Sequence, residues 1–76
     1  MQRYKNLNGS SNILNFEIRL PSIVIEFDTE NYRFYEYSYH RPGQYEVERM
    51  KELALRGYGL NEYISESIKG KYDNKW

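Results

Sequence analysis

Residues 14–39 read LNFEIRLPSIVIEFDTENYRFYEYSY and contain three runs that are typical of β-strands. In the first run, Leu14–Leu20, hydrophobic residues alternate with polar ones, which is the pattern of a strand with one buried face. Pro21-Ser22 interrupts this alternation, and Ile23–Asp28 resumes it. The third run, Tyr32–Tyr39, is rich in residues that favour strands. The stretch therefore predicts a three-stranded antiparallel meander.

The spacing of the hydrophobic residues changes after Pro42-Gly43. Val47, Met50 and Ala54 recur at intervals of three and four residues, with charged residues between them. This spacing predicts an amphipathic helix whose hydrophobic stripe faces a core. Gly57 fits the position just beyond the C-terminus of that helix, where a left-handed backbone is common.

A second helix is predicted to begin near Asn61, a residue type that is favoured at helix N-termini. Its hydrophobic stripe consists of Leu60, Ile64 and Ile68, and Gly70 is expected to end it. The predicted fold class is therefore α+β: a three-stranded antiparallel meander sheet followed by two helices packed on one face, in the order β-β-β-α-α.

A length of 76 residues allows one domain. Residues 1–11 are polar and are expected to form a flexible N-terminal arm, residues 12–72 the domain, and residues 73–76 a C-terminal tail. The longest hydrophobic run, Ile23-Val24-Ile25, is far too short to span a membrane, and the first residues lack the apolar stretch of a secretory signal. We therefore expect a cytoplasmic protein without a membrane partner.

Charge and residue usage argue against several classes of function. Eleven Lys and Arg balance eleven Asp and Glu, so a binder that relies mainly on attraction to phosphates is not expected. The absence of cysteine and the single histidine, His40, leave no thiolate or multi-histidine metal site. Paired carboxylates such as Glu26 and Asp28 lack further ligands. We therefore expect no enzyme, no catalytic residue, no metal site and no cofactor.

Aromatic residues are unusually frequent, since nine Tyr, three Phe and one Trp make up 17% of the chain. So many tyrosines cannot all lie in a dry core with their hydroxyls hydrogen-bonded. If Phe34 points into the core, the outward stripe of the third strand consists of Arg33, Tyr35, Tyr37, Tyr39 and Arg41. The opposite parity buries these tyrosines and exposes Phe34. Because Phe is the more apolar side chain, the first parity is favoured.

Several short motifs resemble the lysyl-tRNA synthetase C-terminal (KTSC) domain family, over roughly residues 11–72. The motifs are Ser11-Asn12-Ile13, Ile23-Val24-Ile25-Glu26-Phe27, a Tyr-x-Tyr at Tyr35-Glu36-Tyr37 or Tyr37-Ser38-Tyr39, Pro42, Gly57-Tyr58-Gly59-Leu60-Asn61 and Ile68-Lys69-Gly70-Lys71-Tyr72. Members of this family are fused to some synthetases or occur as free-standing small bacterial or phage proteins. The resemblance implies a non-catalytic domain for which RNA binding has been suggested.

The predicted function is a non-catalytic binding module for RNA, single-stranded nucleic acid or a nucleotide. Exposed tyrosine rings can stack on bases while arginines pair with phosphates. His40, in the connection between strand and helix, can hydrogen-bond a base or phosphate, although a lone loop histidine is more often simply solvated. The predicted ligand-binding residues are Arg33, Tyr35, Tyr37, Tyr39, His40 and Arg41, with Lys69 and Lys71 as a secondary basic edge.

A protein interface is the alternative that the same residues leave open. Residues 21–40 contain four acidic residues and one arginine, a balance of −3 that disfavours a long phosphate backbone. Tyr and Arg are also enriched at the centres of protein interfaces. The alternative function is a protein-interaction or homo-oligomeric protein, such as a phage-encoded inhibitor or a sponge for a nucleotide signal, that buries its aromatic face against a host protein or itself.

Overall fold

Five antiparallel strands form one sheet in the computed structural model, which describes residues 1–76. The strands are β1 (Gln2–Arg3), β2 (Ile13–Ile18), β3 (Ser22–Phe27), β4 (Phe34–Ser38) and β5 (Asn74–Lys75), and they are ordered in the sheet as in the sequence. Helices α1 (Gln44–Arg56) and α2 (Leu60–Tyr63) lie between β4 and β5, and α2 continues into a π-helical segment, Ile64–Ile68. The α+β class and the antiparallel meander are confirmed, but the sheet has two strands more than predicted.

The two additional strands come from the ends of the chain. Residues 1–11 are predicted to form an arm and residues 73–76 a tail, whereas β1 pairs with β2 and β5 pairs with β4. The N–H of Tyr4 donates to the carbonyl of Leu14 at 2.9 Å, and the Tyr4 side chain is buried. Its hydroxyl accepts a hydrogen bond from the N–H of Leu60 at 3.4 Å. Residues from both ends therefore belong to the folded sheet.

A β-bulge changes the predicted alternation in β2. The expected buried face was Leu14, Phe16, Ile18 and Leu20. Because the register shifts between Ile13 and Asn15, Ile13 and Phe16 are buried while Leu14 is exposed. Leu20, in the turn that follows β2, is 84% exposed, so the prediction for this face was correct only at Phe16.

The register of β3 and β4 decides which way the tyrosines of the third predicted strand point. Ile23 pairs with Tyr37 and Ile25 with Tyr35, and directly paired residues share a face of the sheet. Both isoleucines are fully buried, and Tyr37 is only 2% exposed. The favoured parity was therefore wrong: Tyr35 and Tyr37 lie on the face that carries the core, and the alternative parity is the observed one.

The opposite face of the sheet, which we call the open face, carries Phe34 in this parity. There Phe34 is only half-buried, and its ring stacks on Trp76 with 5.7 Å between the ring centroids and 18° between the ring planes. The more apolar side chain thus finds cover outside the core, from a residue that lies 42 positions later in the chain. Local hydrophobicity alone gave no sign of this partner.

The helices follow the predicted periodicity. Val47, Met50 and Ala54 of α1 are buried, and so are the stripe residues of the second helix, Leu60, Ile64 and Ile68. Gly57 ends α1 with a left-handed backbone at φ 88°, as predicted. A Cβ there would approach Lys5 Cβ to 2.8 Å, so this position requires glycine for space as well as for conformation. Asn61 lies inside α2, which begins after Gly59 instead.

Replacing Tyr37 by Ala is expected to destabilise the domain severely, by about 3 kcal/mol or more, because it leaves a cavity in the core. Replacing it by Phe keeps the ring and should cost less than about 1 kcal/mol. Urea unfolding followed by circular dichroism measures both changes.

The matched control is Tyr45→Ala, since Tyr45 is 78% exposed on α1 and its truncation should change stability by less than about 0.5 kcal/mol. An equally mild effect of Tyr37→Ala would contradict the buried position of this ring.

Candidate functional site

The structure does not bring the predicted tyrosine stripe to the surface. Tyr37 is buried, and burial raises the pKa of its hydroxyl above the ordinary value. Tyr35 and Tyr39 are half-buried and pack against the core. The Tyr39 hydroxyl donates to Glu48 Oε2 at 2.6 Å, and Lys51 Nζ lies 5.5 Å from the centre of its ring. These rings therefore offer no continuous stacking platform to a ligand.

Arg33 is engaged within the protein. Its Nη1 donates to the carbonyl of Thr29 at 2.9 Å, and its Nη2 lies 3.2 Å from Glu26 Oε2. The predicted contact set is thus divided, because this guanidinium lies beside the β3–β4 turn while Tyr37 lies in the core.

His40 and Arg41 are exposed in the loop between β4 and α1. The hydroxyl of Ser38 accepts both of their backbone N–H groups at 3.1 Å and donates to Asp73 Oδ2 at 2.8 Å. The loop backbone is therefore tied to the segment that precedes β5, and both side chains are left in solvent.

Lys69 and Lys71, the predicted basic edge, are also exposed, on either side of Gly70 between the π-helical segment and β5. Neither takes part in an ion pair. They are accessible cations, but they do not share a surface with the buried Tyr37.

The densest group of partly accessible aromatic residues lies instead where β5 joins β4. Tyr35 packs edge to face against Phe27, with ring centroids 5.3 Å apart, and against Tyr72, with centroids 5.1 Å apart. Lys75 Nζ lies 4.4 Å from the centre of the Tyr32 ring and 5.1 Å from that of Tyr72. We call Tyr32, Tyr35 and Tyr72 the aromatic cage. Both ammonium distances fall within the range of a cation–π interaction.

Strand pairing explains how the cage comes to hold a cation. Lys75 is directly opposite Tyr35 in the antiparallel pair of β4 and β5, so its side chain leaves the sheet on the same face as Tyr35. The pKa of Lys75 is raised, chiefly by the adjacent Tyr72 side chain and further by the neighbouring tyrosines. The cage therefore stabilises the charged form of the ammonium group.

On the open face of the same edge, the Phe34–Trp76 stack forms a second aromatic surface. The N–H of each residue donates to the carbonyl of the other at 2.9 Å, which fixes the two backbones side by side. Trp76 is 47% exposed. We call β4, β5, Tyr32 and Trp76 together the β4–β5 edge. It presents a filled cation cage on one side of the sheet and an exposed indole on the other.

Ion pairs cover the rest of the open face. Arg19 Nε donates to Glu17 at 2.6 Å, and Arg19 Nη1 lies 3.6 Å from Glu36. The pKa of Glu26 is lowered, chiefly by the hydrogen bond from Asn15 Nδ2 at 2.9 Å and also by Arg33. Arg19 and Arg33 are therefore paired with carboxylates on this face, whereas Arg3 of β1, directly opposite Asn15, is exposed and takes part in no ion pair.

The remaining surface contains no cluster of metal-binding side chains and one shallow concave region. No group of three or more His, Asp or Glu side chains is arranged to hold a metal ion. The one concave region runs along the outer side of α1 between Tyr45 and Glu52. It is lined by residues of a single helix.

No helix has the length and hydrophobicity that crossing a membrane requires.

Sequence reasoning missed Tyr32, Tyr72, Lys75 and Trp76 as members of one site. A signal was present, because the segment from Lys71 to Trp76 carries two aromatic residues and two lysines, which is more than a solvated tail needs. Their pairing with β4 joins residues about 40 positions apart and has no local pattern.

The carboxylate of Glu26 should make stability depend on pH. A lowered pKa in the folded state gives stability that is present above the unfolded pKa and is lost as the pH falls through the folded pKa. The unfolding free energy should therefore decrease as the pH is lowered from about 5 to about 3. Glu26→Gln should flatten part of that slope, as measured by urea unfolding across the pH range.

Asn15→Ala removes the main cause of the shift and should flatten the slope in the native sequence but not in the Glu26→Gln background. An identical effect of Asn15→Ala in both backgrounds would contradict the assigned cause.

Comparison of the chain with protein-family models, with curated proteins and with solved structures finds no match. The resemblance to the KTSC domain family therefore stays a prediction, and the function has to be argued from the geometry of the β4–β5 edge.

Proposed function

We propose that this chain is a non-catalytic binding module that recognises a basic segment of a protein partner at the β4–β5 edge. The observation that carries the proposal is the ammonium of Lys75, held 4.4 Å and 5.1 Å from the centres of two tyrosine rings. A group of aromatic rings that holds one cation has the electrostatic character required to bind a different cation in its place.

The charges of the β3–β4 turn, which carries Tyr32, support a basic partner. Asp28 and Glu30 are exposed in the turn that carries Tyr32, and the nearby Arg33 is paired with Glu26. The turn therefore presents carboxylates to solvent without a free guanidinium beside them. Complementary charge of this kind accelerates encounter with a positively charged partner and repels a phosphate backbone.

The residue types at the edge support a protein interface. Tyr32 is 52% exposed and Trp76 is 47% exposed, and both are large rings with little conformational entropy to lose. Trp and Tyr are enriched among the residues that dominate binding energies at protein interfaces. Their position at the end of a sheet leaves them accessible to an approaching chain.

Nucleic-acid binding and self-association stay predictions, but with a different contact set. With Tyr37 in the core, the ring available for stacking on a base is Trp76, and the guanidinium nearest in sequence to the Phe34 stack is Arg33. The ion pair of Arg33 with Glu26 would have to open before that guanidinium could neutralise a phosphate. This requirement favours the basic protein segment over the nucleic acid.

Fluorescence of Trp76, the single tryptophan, provides a direct test. The full chain is titrated with a lysine- and arginine-rich peptide, an acidic peptide of equal length and a single-stranded oligonucleotide. We expect only the basic peptide to change the emission, with an affinity that falls as salt is raised. Tighter binding of the oligonucleotide would overturn the proposal in favour of nucleic acid. A concentration-dependent dimer that binds neither peptide would overturn it in favour of self-association.

Glu30→Lys should weaken binding of the basic peptide by about three- to tenfold, because it reverses a charge beside Tyr32. Glu52→Lys, an equivalent reversal on the exposed side of α1, is the matched control and should leave the affinity unchanged. Equal effects of the two reversals would place the binding surface elsewhere.

A further inference from the structure

We infer that the aromatic cage of Tyr32, Tyr35 and Tyr72 is a socket for the lysine side chain of a partner strand, and that Lys75 occupies it in the free protein. This inference rests on the proposed function, because it names the group that the partner inserts. β5 is then an intramolecular substitute for the bound segment, and binding replaces it.

Two rings of the cage, those of Tyr35 and Tyr72, are held in place by packing that does not involve Lys75. Phe27 contacts Tyr35 at an interplanar angle of 88°, and Tyr35 contacts Tyr72 at 84°. Phe27 and Tyr35 also pack against the core, so the inner end of this series is anchored. A ligand therefore meets two rings whose positions do not depend on Lys75, which lowers the cost of ordering the site.

The occupant indicates the chemistry of the ligand. The side chain that enters the cage is a lysine, although hydrophobic residues such as Leu20 and Leu55 are left exposed elsewhere. The ammonium lies over the faces of Tyr32 and Tyr72, where the negative potential of an aromatic ring is concentrated. The free ammonium and its N-methylated forms share this chemistry.

The backbone of β4 indicates how a partner would bind. Along this edge, the N–H groups of Phe34 and Trp76 each donate to the other residue's carbonyl, and the N–H of Asp73 donates to the carbonyl of Glu36. A partner strand can make the same hydrogen bonds to β4, which is the known mode of strand addition to a sheet. Because β5 has only two residues, few hydrogen bonds have to open before a partner strand takes its place beside Phe34 and Glu36.

The test uses the full chain with Lys75→Ala, which empties the cage, and Lys75→Arg, which keeps a cation in it. Each is titrated with Nα-acetyl-lysine methylamide, with its Nε-trimethyl form and with the uncharged norleucine equivalent, while the ring protons of Tyr32 and Tyr72 are followed by NMR. We expect Lys75→Ala to bind at least one of the two charged probes about fivefold or more tightly than the native chain and Lys75→Arg do. The norleucine probe should bind more weakly in every case.

The two charged probes distinguish a free lysine from a methylated one. Equal affinities of the native chain and Lys75→Ala for both charged probes would overturn the inference, and so would equal binding of the norleucine probe. If the basic peptide of the preceding test binds while the emptied cage shows no preference for charge, the inference fails and the proposed function stands. If no basic ligand binds at all, both fail.

The native chain supplies a second measurement that does not depend on how Lys75→Ala folds. Ring currents from Tyr32 and Tyr72 should shift the Lys75 Hε protons upfield. Excess trimethyl-lysine probe should move these protons back towards the values of a free lysine. A probe that shifts the tyrosine rings without releasing Lys75 would show that the cage is not its binding site.

Discussion

The pairing of Ile23 with Tyr37 and of Ile25 with Tyr35 is the constraint on which the rest of the structure depends. It places the tyrosines of β4 on the face that carries the helices and leaves Phe34 and Glu36 on the other. Because side chains alternate along a strand, a shift of one residue would exchange the two sets completely. The aromatic core, the ion pairs of the open face and the position of the cage all follow from this one register.

The sequence was sufficient to predict the elements whose hydrophobic residues follow a repeated pattern. The three- and four-residue spacing of Val47, Met50 and Ala54 predicted the core face of α1, and Gly57 predicted where that helix ends. It was not sufficient for β1 and β5, because a strand of two residues is too short to show any periodicity. The bulge beside Leu14 likewise depends on pairing with β3, and no local signal precedes it.

The parity chosen for β4 was wrong for a related reason. The choice between the two parities of β4 compared Phe34 with its tyrosine neighbours, but the ring that covers Phe34 belongs to Trp76, which is remote in sequence. Tyrosine is also common at both buried and exposed positions, so the nine tyrosines do not show which face of a strand is buried. The balance of −3 over residues 21–40 follows from composition and does not depend on which face a side chain occupies, so the expectation that it disfavours a long phosphate backbone is unchanged by the parity of β4.

The cover that β5 gives to β4 also bears on how the protein behaves when it is concentrated. Very short edge strands offer an approaching molecule too few backbone groups to start a growing sheet. If β5 leaves, the newly uncovered strand is Phe34–Ser38, five residues with three aromatic rings and one charge. Once uncovered, such a strand presents free backbone groups to a second copy of the chain, so β5 shields an edge that favours aggregation.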